Sequence, residues 1–485
     1  MGEGNLRKKT INGVGWSAFD SILGQGVTFI VSLVLARILM PDEYGLLGLA
    51  VIFTTIMNSI VDSGLSNALI RKNDVSDDDY STMFYSNMVL SIIMYLILFF
   101  GAPSIALFFD KPELVDIVRV SGLVVIINAL SIVQYTILSK RIDFKTKTKA
   151  SFIAAILSGG IGIVMAFAGF GVWALVAQLL SKQFIYTLCL WIFNHWLPKL
   201  VFCKSSFKYM WGFGWKLLVS DLLNTTWSQI YQMVVGKFYS PATLGQYTRS
   251  REYASVFSNN INTIVSRVSF PVLAEIQDDK QRLVAAYRKI ITTTMFVTAV
   301  CMISMGAVAE PLIYCMIGPQ WHQAATFLPF ICMSLSLIPL HAINLNMLKV
   351  QGRSDLFLKL EIYKKLISVV PICLGIFVDI YWMIVGSVVT GFIGYLLNSF
   401  YSGRMLGYSS WMQLKDVAPS YGVAFAIAIP VYFLKYLPMS FWLILPLQVL
   451  MGVLIFFVIC EKKQLPEYLE IKGIVIQYAP RLRRH

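Results

Sequence analysis

A soluble chain of 485 residues would make about three domains of ~150 residues each, but here 57% of residues are hydrophobic and only 14% charged. Soluble domains run at roughly 45–50% and about 25%, and a mean hydropathy of +0.68 leaves more apolar surface than a water-soluble globule can bury. The net charge of +14 would suit nucleic acid in a soluble protein; here the bases fall between hydrophobic runs, with no phosphate loop, zinc spacing or RNA-binding signature beside them. The composition predicts an all-α polytopic membrane protein with no nucleic-acid partner.

A spanning helix needs roughly 20 apolar residues. In chain order the expected spans are 14–37, 44–70, 81–102, 113–138, 150–170, 172–196, 210–236, 244–270, 285–313, 323–348, 357–378, 380–402, 415–436 and 440–460, fourteen in all. The runs are continuous rather than alternating, which argues against a β-barrel. Runs 210–236 and 244–270 are the most polar. The first run is too long for a signal-peptide core and no A-x-A site follows it, so it is expected to stay attached. The seven cysteines form no CxxC pair and mostly sit in apolar runs, so neither disulfide nor metal is expected.

The bases test the span count. With the N-terminus inside, inner segments and their flanks carry 28 Lys and Arg, and outer ones carry five: Arg37, Lys111, Arg119, Lys237 and Lys435. That alternation is what the positive-inside rule requires, and it places both termini in the cytoplasm. The start of the chain also returns about 200 residues later. Gly13, Gly15 and Trp16 lead through one span to Pro41-Asp-Glu-Tyr-Gly45; Gly212, Gly214 and Trp215 lead through one span to Pro241-Ala-Thr-Leu-Gly245. Further on, Asp77-Asp78 matches Asp278-Asp279, and Arg141-Ile-Asp143-Phe144 matches Arg353-Ser-Asp355-Leu356. The expected domains are therefore a six-helix lobe over 1–198, a second copy over 205–402, two added spans over 403–460 and a basic tail over 461–485. Six crossings return the chain to its starting side, so the repeats are parallel; such transporters bind substrate in a cavity between their halves.

Polar residues inside the spans point to that cavity. The first span carries Asp20, the second Thr55, Asn58, Ser59, Asp62 and Ser66. The seventh has Lys216, Ser220, Asp221, Asn224, Thr225 and Ser228; the eighth has Arg249, Arg251, Ser255, Ser258, Asn259, Asn262, Ser266 and Arg267. A charge near the bilayer centre costs at least ~2.5 kcal/mol and normally faces protein or water. Plainer readings stand beside this one. Ser, Thr and Gly also permit close helix packing; Arg249 and Arg251 can snorkel, Arg267 can anchor a helix end, and Lys216 and Asp221 can neutralise each other. Secondary candidates are Lys182 in mid-span and Lys364 and Lys365, two turns from the inner face. The four histidines are scattered and form no catalytic group.

Four segments carry a family resemblance: Val34 to Gly45, Gly169 to Gln178, Leu244 to Arg249, and Ser266 to Glu275. Through them the chain resembles the polysaccharide transporter family, the Wzx-type O-antigen and exopolysaccharide flippases, in the superfamily of multidrug/toxin extruders and the lipid II flippase. The resemblance implies that an undecaprenyl-diphosphate-linked oligosaccharide is flipped from the cytoplasmic to the outer leaflet by alternating access. It implies Lys216, Arg251 and Arg267 for the diphosphate, with Asn224, Asn259 and Asn262 as candidates beside them. Asp20 and Asp221 are the candidate cation-coupling acids, with Na+ or H+ as coupling ion and no other cofactor. Pathway glycosyltransferases and a polymerase are the expected partners besides membrane lipid. The competing readings are a cation-coupled multidrug extruder and a membrane-embedded transferase. Seven bases in the spans favour an anionic substrate over a cationic drug. Short outer loops without an acid or histidine cluster weigh against an enzyme.

Overall fold

In the computed structural model the described residues are 26–62 and 64–473, without the side chains of Ile264, Ser266, Arg267, Val268, Phe270 and Ser354. The Gly13–Trp16 motif, the first half of the first expected span and the end of the basic tail lie outside them. Every regular element among the described residues is helical. Contacts divide the chain into two compact units, residues 1–245 and 246–485.

Unit one holds α1 (Gly26–Ile38), α2 (Pro41–Asp62), α3 (Leu65–Arg71), α4 (Asp77–Phe109), α5 (Leu114–Ser121), α6 (Leu123–Lys140), α7 (Phe144–Phe167), α8 (Val172–Asn194), α9 (Lys204–Phe238) and the first turn of α10 (Pro241–Glu275). Unit two holds the rest of α10, then α11 (Lys280–Ala307), α12 (Ala309–Ile317), α13 (His322–Leu335), α14 (Ile338–Val350), α15 (Ser354–Ile367), α16 (Val369–Phe377), α17 (Ile380–Leu406), α18 (Ser410–Phe433) and α19 (Phe441–Lys463). Ten segments among the described residues are long and apolar enough to cross a membrane, and each falls on an expected span. This is a multi-pass membrane protein. The polar runs fold as the two longest helices, α9 and α10, of 35 residues each. The expected span 357–378 is broken between α15 and α16 at Ser368.

The repeated acidic motifs start helices in both halves. Asp77 opens α4 behind a capping box in which Ser76 and Asp79 exchange hydrogen bonds, and Lys72 pairs with the buried Asp79 at 2.7 Å. Asp279 caps α11 by accepting from the amides of Gln281 and Arg282. Asp143 caps α7 through the Thr146 amide. At the matching position in the first turn of α15, hydrogen bonds from the Arg353 guanidinium hold the Asp355 carboxyl down at about 2. Acids at these positions satisfy orphan amides and complement the helix dipole.

The Pro-x-x-x-Gly pair does something different: the two copies cross. A Cβ on Gly45 would lie 1.8 Å from the carbonyl oxygen of Pro241, and one on Gly245 would lie 2.0 Å from that of Pro41. Only glycine permits so close a backbone approach. Nearby, Leu49, Phe109 and Leu244 pack against Gly236 of α9, and Lys237 pairs with Asp110 at 2.9 Å.

Unit two is held by polar contacts within its interior. The Tyr287 hydroxyl donates to Asn344 Oδ1 at 2.8 Å, and Ser402 donates to the same oxygen at 2.7 Å. Asn344 Nδ2 donates to Leu340 O and towards Gln413, while Asn398 meets the His341 ring at 3.0 Å. These groups join α11, α14, α17 and α18, and Tyr287, Asn344, Asn398, Ser402 and Gln413 are all fully buried. One edge of α10 is stapled to its neighbours in the same way. Gln246 bonds Gln320 O and the Ala324 amide, Ser250 bonds Ala324 O, Ser258 bonds Leu335 O, and Asn346 bonds Ser269.

Gly45→Ala or Gly245→Ala should sharply reduce folded protein in the membrane and lower the Tm of what remains. Gly212→Ala, where an added Cβ meets nothing within 4 Å, should change neither; equal effects at the three sites would refute the crossing. Tyr287→Phe should destabilise by about 1 kcal/mol, the scale of one buried hydrogen bond between spans, read as a fall in Tm.

Candidate functional site

Within unit one, α9 keeps an exposed polar face. Lys216, Ser220, Asn224 and Ser228 follow one another at i+4, so they stack along the helix, with Asp221 beside them, and all five are exposed. A polar face at hydrocarbon depth that is not covered by protein must meet water rather than lipid. Asp221 does not pair with Lys216. Instead it accepts from Ser59 Oγ on α2 at 2.9 Å, and Thr225 donates to the same Ser59 oxygen at 3.4 Å. Asp62, one turn on from Ser59, accepts from Ser66 at 3.2 Å and interacts electrostatically with Asp221. The Asp221 carboxylate thus gathers two hydroxyls, Ser59 directly and Thr225 through it, with the Asp62 charge within electrostatic reach. Lys216 has no carboxylate partner among the described residues; its ammonium lies 6.0 Å from the Trp215 ring. Deeper in the unit, Asn128 bonds Asn58 at 3.0 Å and Gln183 at 3.2 Å, and Lys182 donates to Thr28 at 3.3 Å.

Within unit two, the half-buried Arg251 reaches the Tyr247 hydroxyl at 3.5 Å and has no carboxylate partner among the described residues. Arg249 is buried and paired with Glu252 at 2.7 Å, a structural ion pair. The exposed arc of α10 runs through Glu252, Asn259, Asn260 and Thr263. Asn262 lies at its edge, and its Oδ1 finds no hydrogen-bond donor among the described residues. Ser258, expected on the polar stripe, is turned into the staple to α13. Lys364 pairs with Glu361 one turn back on α15, and its neighbour Lys365 is also engaged. Asp20 and the side chain of Arg267 lie outside the described residues.

Three groups expected only as parts of polar stripes acquire a definite role here: Ser59, Asp62 and Thr225, through their convergence on Asp221. Asn128 and Gln183 are further polar groups of the unit; the sequence signal is an amide within an apolar run for Asn128 and a place beside Ser181 and Lys182 for Gln183.

Residues 34–326 match the polysaccharide biosynthesis protein family. The chain belongs to that family. Among its relatives, the succinoglycan biosynthesis transport protein ExoT of Rhizobium meliloti is 25% identical over 68% of this chain and 67% of its own. The lipopolysaccharide biosynthesis protein WzxC of Escherichia coli is 23% identical over 76% of each. The teichuronic acid biosynthesis protein TuaB of Bacillus subtilis is 23% identical over 73% of each. Among solved structures, the lipid II flippase MurJ in an inward closed conformation aligns with TM-score 0.70 and 17% identity over 92% of this chain and 97% of that one. An inward-facing multidrug resistance MATE family transporter aligns with TM-score 0.58 and 18% identity over 82% and 99%. At these identities the two structures establish the fold of this polysaccharide biosynthesis protein, a helical membrane architecture shared by flippases and extruders.

Proposed function

We propose that the protein is a flippase that carries an undecaprenyl-diphosphate-linked oligosaccharide, a repeat unit of O-antigen, capsule or exopolysaccharide, from the cytoplasmic to the outer leaflet by alternating access. The observation that carries this reading is the family membership, in which a relative is named as a polysaccharide transport protein. The fold shared with a lipid II flippase supports it. The same relatives support a transporter rather than an enzyme. In this reading Lys216 and Arg251, each on a polar helix and without an acidic partner among the described residues, hold the diphosphate, with Arg267 as a third base. Asn224, Asn259 and Asn262 offer amides to sugar hydroxyls; the unpaired Asn262 oxygen suits one. Asp221, steadied by Ser59 and facing Asp62, is the acid that couples Na+ or H+, with Asp20 as its candidate partner. Arg249 and Lys364, each held by its own glutamate, take secondary places, as do Lys182 and Lys365. Both termini lie in the cytoplasm, where glycosyltransferases would load the substrate; a polymerase would consume it outside.

Arg251→Ala or Lys216→Ala should abolish polysaccharide export while protein still reaches the membrane, and Arg251→Lys should recover only part, because the bidentate fork is lost. Full export in both Ala variants would move the head group elsewhere. Reporter fusions after 145 and 205 should read cytoplasmic and those after 110 and 320 external; any swap would break the orientation.

A further inference from the structure

The strap between α8 and α9, residues 195–203, is built inside out. Its polar backbone is turned towards the protein. The Lys199 amide donates to Ser81 Oγ and the Cys203 amide to Thr82 Oγ1, each at 3.0 Å, and Gln134 donates to the Trp196 carbonyl at 2.9 Å. Ser81, Thr82 and Gln134 are buried, and the Trp196 ring is wedged edge-on against Tyr80 and Phe84. Lys199 is spent on Asp77, at 3.1 Å.

So anchored, the strap turns its remaining large apolar side chains outward. Leu197, Leu200 and Phe202 point away from the protein, 72%, 95% and 52% exposed. A water-facing loop shows the opposite distribution. Immediately after it, Lys204 and Lys208 stand one turn apart at the start of α9, both exposed, with no carboxylate partner among the described residues. Tyr209, Trp211 and Trp215 are exposed around them, and no acid occurs between His195 and Asp221. Apolar tips, aromatic rings and unpaired lysines at the ends of two spans are the components of a lipid-interface element.

We propose that this strap is a membrane anchor. Leu197, Leu200 and Phe202 insert just beneath the headgroups, and Lys204 and Lys208 hold the phosphates of anionic lipids in the same leaflet. The link between the sixth and seventh expected spans therefore rides in the bilayer surface rather than in water. That the leaflet is the cytoplasmic one rests on the orientation proposed above; the depth of insertion does not.

The test uses the full chain with Cys203, Cys301 and Cys373 changed to Ser and Leu200→Cys carrying a polarity-sensitive fluorophore. The protein is placed in vesicles of phosphatidylethanolamine with phosphatidylglycerol, or of phosphatidylcholine alone. The label should emit at the blue-shifted wavelength of an apolar site and lose most of its emission when brominated acyl chains are included. Lys204→Ala with Lys208→Ala should weaken that quenching in the anionic vesicles and leave it unchanged in phosphatidylcholine. Water-like emission without quenching overturns the anchor. So does shielding that appears only at high protein-to-lipid ratio, which would make the occupant a second copy of the chain. A wrong orientation alone would place the quenched label in the other leaflet at the same depth.

Discussion

Hydrocarbon supplies no hydrogen bonds, so each polar side chain on a spanning helix needs a protein partner or a water-filled space. That constraint sorts this protein's polar residues into two kinds. One kind is consumed in holding helices together: the Tyr287, Asn344 and Ser402 cluster, the Asn58, Asn128 and Gln183 chain, and the staple along α10. The other kind is left outward on α9 and α10, where Lys216, Asn224, Asn259 and Asn260 remain exposed in a chain whose other long helices are apolar. These exposed groups are the ones a substrate can meet.

α10 shows both kinds on one helix. Its Gln246, Ser250 and Ser258 side bonds to α13 and the turn before it, while its Glu252, Asn259 and Thr263 side stays open. Arg251 lies at the border, close enough to the packed edge to touch Tyr247 and free enough to reach outward. Arg249, two residues earlier, points elsewhere and is consumed by Glu252. Two arginines so close in sequence thus have opposite fates, decided by the ~200° that two residues turn on a helix.

Much of the fold was legible because run length and charge alternation report directly on the bilayer: ten of the expected spans coincide with the ten segments among the described residues that are long and apolar enough to cross. The paired motifs act as local backbone devices. Asp143 and Asp279 cap helices, and Gly45 and Gly245 allow a close crossing, so neither can vary freely. The site was less legible. Lys216 and Asp221 are near in sequence and suggested a pair, but the carboxylate is taken by Ser59, 162 positions away. Ser258 shares the face of Arg251 by helical angle, yet the shape of α13 sets where that face becomes buried. Such borders depend on which helix arrives as neighbour, and periodicity does not encode that.

The central claim is that a lipid-linked diphosphate sugar crosses through this protein, and it is tested most directly in vesicles holding only the purified chain. A fluorescent undecaprenyl-diphosphate oligosaccharide is placed in both leaflets, and a membrane-impermeant reductant then bleaches whatever reaches the outer one. With a Na+ or H+ gradient imposed, the account predicts bleaching well beyond the outer-leaflet half, and little more than that half in vesicles carrying Lys216→Ala with Arg251→Ala. Bleaching that stops at the outer-leaflet share with the unaltered protein, while a cationic dye is extruded under the same gradient, would contradict it.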